Sequence, residues 1–213
     1  AILGGVPEEK TAYSINMVCG SGMKAVMNAY SDIVAGFASV VIAGGTESMT
    51  NAGFVLPAEI RGGFKMGNLQ AADHMVTDGL TDAFNNYHMG ITAENIAEQF
   101  GISREEQDAF AYLSQQKAIK AVDEDKFKEE IVPFEIVSRK ETIVFDKDEF
   151  PNRTSTPEKL AALRPAFKKD GTVTAGNASG VNDGAAFVML AGEEAVRNFN
   201  LKPIAEIVAF GEG

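Results

Sequence analysis

Ser14-Ile15-Asn16-Met17-Val18-Cys19-Gly20-Ser21-Gly22-Met23-Lys24-Ala25 is the stretch on which the fold turns. An apolar, strand-like run leads into it through Ala12, Tyr13, Ile15, Met17 and Val18. A helical pattern leaves it, with Met23, Val26, Met27 and Tyr30, then Ile33, Val34 and Phe37, at the spacing of one helix face. Cys19, the only cysteine, is therefore predicted at a strand-to-helix turn, where Gly20 and Gly22 permit a tight bend. Gly36 is expected to close the helix, and Ser39 to Ala43 reads as a buried strand. Strand, helix and strand in this order predict a βαβ unit on a parallel sheet, hence the α/β class.

A cysteine at such a turn has chemical consequences. The first amides of a helix lack intrahelical partners, and the helix dipole places partial positive charge there. A thiolate is stabilised in that position. The same amides can donate to an oxygen that becomes negative during acyl transfer. One reading of Cys19 is thus a nucleophile; the other is a small buried core residue, the usual fate of a lone thiol. The letters Gly20-Ser21-Gly22-Met23-Lys24-Ala25 also fit a dinucleotide fingerprint, G-x-G-x-x-G/A. That reading wants an acidic residue about 20 positions on, at the end of the next strand. Glu47 follows Val40-Val41-Ile42-Ala43 only after Gly44-Gly45-Thr46, which is a loose fit.

Composition sets outer bounds. The chain has 213 residues, 45% apolar and 23% charged, enough for one or two domains with a real core. A net charge of −11 disfavours nucleic acid or an anionic membrane as partner. No run approaches the roughly 18 apolar residues of a membrane span. One cysteine excludes an internal disulfide and suits a reducing compartment. The two histidines, His74 and His88, are too far apart for a metal-ligand spacing, so no metal is expected.

Beyond the first strands, 50–86 loses periodicity and is punctuated by Gly53, Pro57, Gly62, Gly63, Gly67 and Gly79, the pattern of a functional insertion. Helix starts follow. Thr92 or a neighbour is expected to open a helix from Ala93 to Phe100, stopped by Gly101. Ser103 with Glu106 forms a capping box for a helix reaching Asp123. Thr156-Pro157 opens another, ending near Leu163. Short strands are predicted over Ile131 to Val137 and Thr142 to Phe145. After Gly184 come a strand from Ala186 to Leu190, a helix from Glu193 to Phe199 and a strand from Ile204 to Phe210.

At this point a family resemblance enters. Asn16-Met17-Val18-Cys19-Gly20-Ser21-Gly22, with Ala43-Gly44-Gly45-Thr46-Glu47-Ser48-Met49, resembles the active-cysteine segment of thiolases. His88-Met89-Gly90-Ile91-Thr92-Ala93-Glu94-Asn95 resembles that family's coenzyme A loop. Leu163-Arg164-Pro165-Ala166-Phe167, through Thr174-Ala175-Gly176-Asn177-Ala178-Ser179-Gly180 to Ala186, resembles its second such segment. The resemblance runs from end to end, is nearest to the biosynthetic acetyl-CoA acetyltransferases, and several motifs in the right order make it specific. It implies an incomplete thiolase fold, layered α/β/α/β/α, with an inserted α+β loop domain. Residues 1–50 would form part of an N-terminal domain carrying the nucleophile, 51–180 a CoA-binding insertion, 181–200 a return to the first domain, and 201–213 the start of a C-terminal domain.

By the same resemblance Cys19 is the nucleophile that carries the acyl group, with its backbone N–H in an oxyanion hole. His88, Met89, Leu80, Phe167, Ala175 and Ser179 line the pantetheine arm, and Arg153 meets the adenine end. The expected reaction joins two acetyl-CoA molecules into acetoacetyl-CoA and CoA. CoA thioester is the substrate, and no separate cofactor is implied. The whole protein would be a homo-oligomer, dimer or tetramer, in the cytoplasm, with neither nucleic acid nor membrane as partner. The family's N-E-A-F and G-H-P segments do not occur in this sequence, so an internal piece without turnover of its own is expected. Alternatives are a degradative 3-ketoacyl-CoA thiolase, a non-catalytic CoA-binding module and the dinucleotide reading.

Overall fold

The computed structural model describes residues 1–212. Its main elements, in chain order, are α1 (Ser21–Val34), β1 (Val40–Ser48), β2 (Phe54–Val55), β3 (Ala72–Asp73), α2 (Met89–Phe100), α3 (Arg104–Asp123), β4 (Phe134–Val137), β5 (Thr142–Phe145), α4 (Pro157–Ala161), β6 (Asp183–Ala191) and α5 (Glu193–Asn198). They fall into two compact units. One comprises Ala1–Met75 together with the chain from Val181 onward; the other is Val76–Gly180. Residues 51–75, expected in the insertion, therefore sit in the first unit.

In the first unit α1 lies on a two-stranded sheet of β1 and β6. Ala29, Ala43 and Leu190 are buried at the contact, and Ala25, Val26, Tyr30, Ile33 and Val41 pack around them. Small residues bring helix and strand close. A Cβ on Gly45 would lie 3.1 Å from the Gly22 Cα, at the start of the helix. At Gly44 it would come within 2.1 Å of the Ala186 carbonyl oxygen, on the partner strand. The helix end matches expectation, with Gly36 at a positive φ of 79°. Part of the apolar stripe is not core, however: Met23, Val34 and Phe37 are exposed.

Several expectations are corrected here. The β1 strand does not stop at Ala43 but runs on to Ser48, because β6 offers a ladder along its whole length, from Val40↔Ala191 to Ser48↔Asp183. That ladder is antiparallel, and among the described residues no strand pair is parallel. The expected first strand of the βαβ unit, Ala12 to Val18, is not formed. Local side chains take its amides instead: the Val18 N–H donates to Asn16 Oδ1 and the Met17 N–H to Ser21 Oγ. Ile204 to Phe210 likewise forms no strand. Ile204 and Val208 face outward, and Phe210 packs edge-on against Tyr30 with ring centroids 5.4 Å apart.

In the second unit the helices start where capping chemistry dictates. The Ser103 hydroxyl accepts from the Glu106 N–H at 3.1 Å, and Glu106 accepts from the Ser103 N–H at 2.8 Å, the reciprocal box expected for α3. Thr156 accepts from the Lys159 N–H ahead of Pro157 at the start of α4. The α2 start differs from expectation. It begins at Met89, and its cap is His88 rather than Thr92. Imidazole is not a common N-cap, so the signal is weak in sequence. β4 and β5 pair as a hairpin, Phe134↔Phe145 to Val137↔Thr142. Among the described residues no helix is long and apolar enough to cross a membrane.

Candidate active site

The Cys19 turn is built by its own neighbours. The Gly20 N–H donates to the Met17 carbonyl at 2.9 Å and the Ser21 N–H to the Val18 carbonyl at 3.2 Å. The Ser21 hydroxyl donates to the same Val18 carbonyl at 2.7 Å. These bonds hold Val18 at φ 47°, a left-handed conformation that a β-branched residue rarely adopts. Such strain costs about 1–3 kcal/mol and persists only where the surroundings enforce it. Cys19 follows immediately, exposed and unbridged, one residue before the Gly20 cap of α1. The helix amides of Gly22 and Met23 lie within its first turn, where no intrahelical carbonyl is available. Among the described residues no core buries this thiol. The dinucleotide reading also fails locally: no strand leads into Gly20, and Glu47 lies within β1, opposite Gly184.

In the second unit, four candidate residues are brought together. The Met89 N–H donates to the Leu80 carbonyl at 2.8 Å, and Thr81 bridges to His88. The His88 ring stacks on Phe167, with centroids 4.6 Å apart and planes at 20°. His88 Nδ1 also accepts from the Gly90 N–H at 3.0 Å, closing the first turn of α2. Gly90 is buried beneath the phenyl ring, and a Cβ there would lie 2.2 Å from ring carbons of Phe167. Gly90→Ala is accordingly expected to push Phe167 off His88. Overpacking of this kind costs about 1–3 kcal/mol, or about 2–4 °C in melting temperature per kcal/mol. Thermal denaturation checks this, and an unchanged melting temperature would contradict the stacked arrangement.

Ala175 and Ser179 belong to a turn that buried polar side chains anchor, and both are exposed on it. Glu94, only 4% exposed, accepts the Val173 N–H at 2.8 Å, the Thr172 N–H at 2.9 Å and the Thr172 hydroxyl at 2.9 Å. Burial alone would raise its pKa. The amides of Val173 and Thr172, the Thr172 hydroxyl and the charge of Lys168 outweigh burial and hold the carboxyl below its ordinary value. Asn177 completes the anchor. Its Oδ1 accepts from the Thr174 N–H at 2.8 Å, and its Nδ2 donates to Asp108 at 2.9 Å and to the Thr172 carbonyl at 3.0 Å. Arg104 neutralises Asp108 at 2.7 Å and donates to the Leu160 and Leu163 carbonyls at the end of α4. The Ala166 N–H donates to the Val173 carbonyl, which ties the segment bearing Phe167 to the same turn.

Glu94, Asp108, Asn177 and Arg104 were not expected as part of the site. Gly90, Glu94 and Ala97 are the buried residues of α2 and share one helix face, a burial that an acid's presence in a helix does not signal in sequence. Arg153 lies elsewhere on the unit, exposed and paired through both terminal nitrogens with Asp123, at 3.1 and 2.6 Å. Hydrogen bonding to Arg153 lowers the Asp123 pKa, and the same bond raises that of the guanidinium. Lys168 pairs with Glu98 at 3.2 Å on the exposed surface. Among the described residues no group of three or more acidic, histidine or cysteine side chains could hold a metal ion.

Comparison with known proteins gives a consistent picture. A family profile described as "Thiolase, N-terminal domain" matches residues 1–194. A "Probable acetyl-CoA acyltransferase" of Staphylococcus aureus (strain COL) is 54% identical over 212 residues, which are 99% of this chain and 54% of that protein. Among solved structures, an acetyl-CoA acetyltransferase from Syntrophomonas wolfei superposes with a TM-score of 0.88 at 42% identity, over 95% of this chain and 50% of that one. Human mitochondrial 3-ketoacyl-CoA thiolase gives 0.86 at 42%, over 95% and 51%. The chain spans about half the length of the curated relatives it matches.

Proposed function

The chain belongs to the thiolase family, and from that premise we propose that it carries the nucleophilic half of an acyltransferase acting on acetyl-CoA. The observation that supports this reading is Cys19: an exposed thiol one residue before the cap of α1, in a turn rigid enough to hold Val18 at positive φ. In the proposed reaction the Cys19 thiolate attacks the thioester carbonyl. The C–S bond to CoA breaks, the acetyl group stays on Sγ, and the CoA thiolate takes up a proton. The Cys19 N–H donates to the oxyanion that forms on the way. A second acetyl-CoA then loses an α-proton. Its carbanion attacks the acetyl carbon, and acetoacetyl-CoA leaves as the Cys19 thiolate is restored.

The same proposal assigns the neutral pantetheine arm to Leu80, His88, Met89 and Phe167, with Ala175 and Ser179 from the anchored turn. A long, flexible and mostly uncharged ligand calls for such a surface: small and apolar, with a few polar groups. Arg153 would meet the adenine end through the face of its guanidinium, since its edge is engaged with Asp123. A cytoplasmic homo-oligomer is part of the same reading for the whole protein. The resemblance to a 3-ketoacyl-CoA thiolase is as strong as that to the acetyltransferases, which supports a degradative use of the same chemistry as the second reading.

The test is an intact-mass measurement after the 213-residue chain is incubated with acetyl-CoA, and then with longer acyl-CoA thioesters. One acyl group on the Cys19 peptide is expected, without accumulation of acetoacetyl-CoA, because the sequence carries neither the N-E-A-F nor the G-H-P segment. Acylation elsewhere, or none, would refute the nucleophile. Preference for long acyl groups would favour the degradative reading.

A further inference from the structure

The β4–β5 hairpin is preorganised but uncovered. Ser138 closes its turn: the N–H donates to the Glu141 carbonyl at 2.9 Å, and the hydroxyl donates to the same oxygen at 2.8 Å and accepts the Glu141 N–H at 3.0 Å. The register Phe134↔Phe145 and Ile136↔Ile143 puts four apolar side chains on one face, each between 41% and 68% exposed. A two-stranded ribbon alone is marginal in water; three or more strands with an apolar face are needed for independent stability. The two edges differ. Pro133 stands just before β4 and has no N–H to offer a neighbour. Thr142-Ile143-Val144-Phe145 contains neither proline nor charge, the devices that blunt an edge. Bonded and non-bonded pairs alternate along an antiparallel ladder, and Ser138 bonds Glu141. Ile143 and Phe145 therefore turn their peptide groups toward β4, while Thr142 and Val144 turn theirs to the open edge.

Charge decides what fits that edge. Arg139, Lys140 and Glu141 precede β5, and Lys147, Asp148 and Glu149 follow it. All six are exposed, and among the described residues none has an ion-pair partner in its own chain. Read backwards, the second triplet carries the opposite sign of the first at every position. We propose that β5 pairs with β5 of a second copy of this chain, antiparallel about a two-fold axis at Val144. Arg139 then falls opposite Glu149 of the second copy, Lys140 opposite its Asp148 and Glu141 opposite its Lys147. The two Val144 residues exchange backbone hydrogen bonds, and Ile143 lies beside Phe145 on the apolar face. The outward peptide groups allow only registers two residues apart. Moving the axis to Ile143 sets Arg139 against Lys147, and moving it to Phe145 sets Glu141 against Glu149. The contact is isologous and yields a four-stranded sheet in the order β4-β5-β5-β4. It gives the self-association a surface, and it is independent of the acyltransferase reading because neither Cys19 nor a ligand takes part.

Sedimentation velocity on the 213-residue chain tests this. The parent should form dimers that loosen as salt rises, as exposed ion pairs do. A parent that stays monomeric overturns the proposal. Arg139→Glu with Lys140→Glu, and separately Asp148→Lys with Glu149→Lys, places like charges together on both sides of the axis. Each variant should keep the parent melting temperature, since the altered side chains are exposed, and should associate about tenfold more weakly. Unchanged association in both would mean that the copies meet elsewhere, and would overturn the hairpin as the surface. An equimolar mixture of the two variants brings opposite charges together again, as does one chain carrying all four changes. Both should dimerise like the parent. If neither recovers while every variant remains folded, the antiparallel register is wrong. Dimerisation needs no acyl-CoA, so a chain that dimerises in this way but is never acylated keeps this proposal and loses the acyltransferase one.

Discussion

Cys19→Ala is expected to abolish covalent acylation of the chain while leaving its fold intact. The thiol is exposed, so its loss opens no cavity. The turn around it is held by hydrogen bonds among Asn16, Met17, Val18 and Ser21 that do not involve the sulfur. Removing a nucleophile from a catalytic unit costs about 10⁴–10⁶ in rate, so in a whole enzyme containing this chain turnover should fall to background. As the sole cysteine, it can be followed without ambiguity. Iodoacetamide should label the parent once and Cys19→Ala not at all, with the two proteins melting at the same temperature. Persistent acyl transfer from acetyl-CoA to Cys19→Ala would move the nucleophile elsewhere and undo the proposed mechanism.

The second large effect is expected at Glu94. Its carboxylate is the acceptor for two backbone amides and a hydroxyl from the turn that bears Ala175 and Ser179. In Glu94→Ala those donors lose their partner in a buried setting, at a cost of about 3 kcal/mol. Glu94→Gln keeps the shape but offers one oxygen and an unwanted donor, and should cost less than alanine but more than a surface change. The pH dependence follows from the lowered pKa. A carboxyl bound more tightly as an anion in the folded chain contributes its stability above the ordinary value of 4.5 and loses it as pH falls through the lowered one. The stability gap between parent and Glu94→Gln, measured by urea unfolding, should thus be full near neutrality and shrink as pH falls below 4.5 and through the lowered pKa. A gap independent of pH would mean that the carboxylate is not the anchoring form.

These two residues also show what a sequence can disclose. The Cys19 turn, the α1 pattern, the Ser103 box and the Thr156-Pro157 start were legible because each is a local rule, satisfied within a few residues. The strand pairing was not. Whether Val40 to Ala43 lies parallel or antiparallel to a neighbour depends on β6, far along the chain, and the apolar run before Cys19 was diverted by side-chain bonds that its composition does not rank. Glu94 was hidden for a related reason. An acid in a helix is usually solvated, and only the distant amides of Thr172 and Val173 make its burial tolerable. His88 was found as a candidate by resemblance, but its structural duty at the start of α2 was not.

The discontinuity of the first unit bears on how the chain is made. Ser48 of β1 and Asp183 of β6 touch across 135 positions, and the whole of Val76–Gly180 is synthesised between them. A growing polypeptide on the ribosome must therefore hold β1 unpaired, with Ala43 not yet buried against Leu190, until the later strand emerges. The intervening unit is continuous in sequence, so it can condense first. High contact order then makes closure of β1 on β6 the slow event, and the period before it is when the nascent molecule is most exposed to aggregation and most in need of a chaperone.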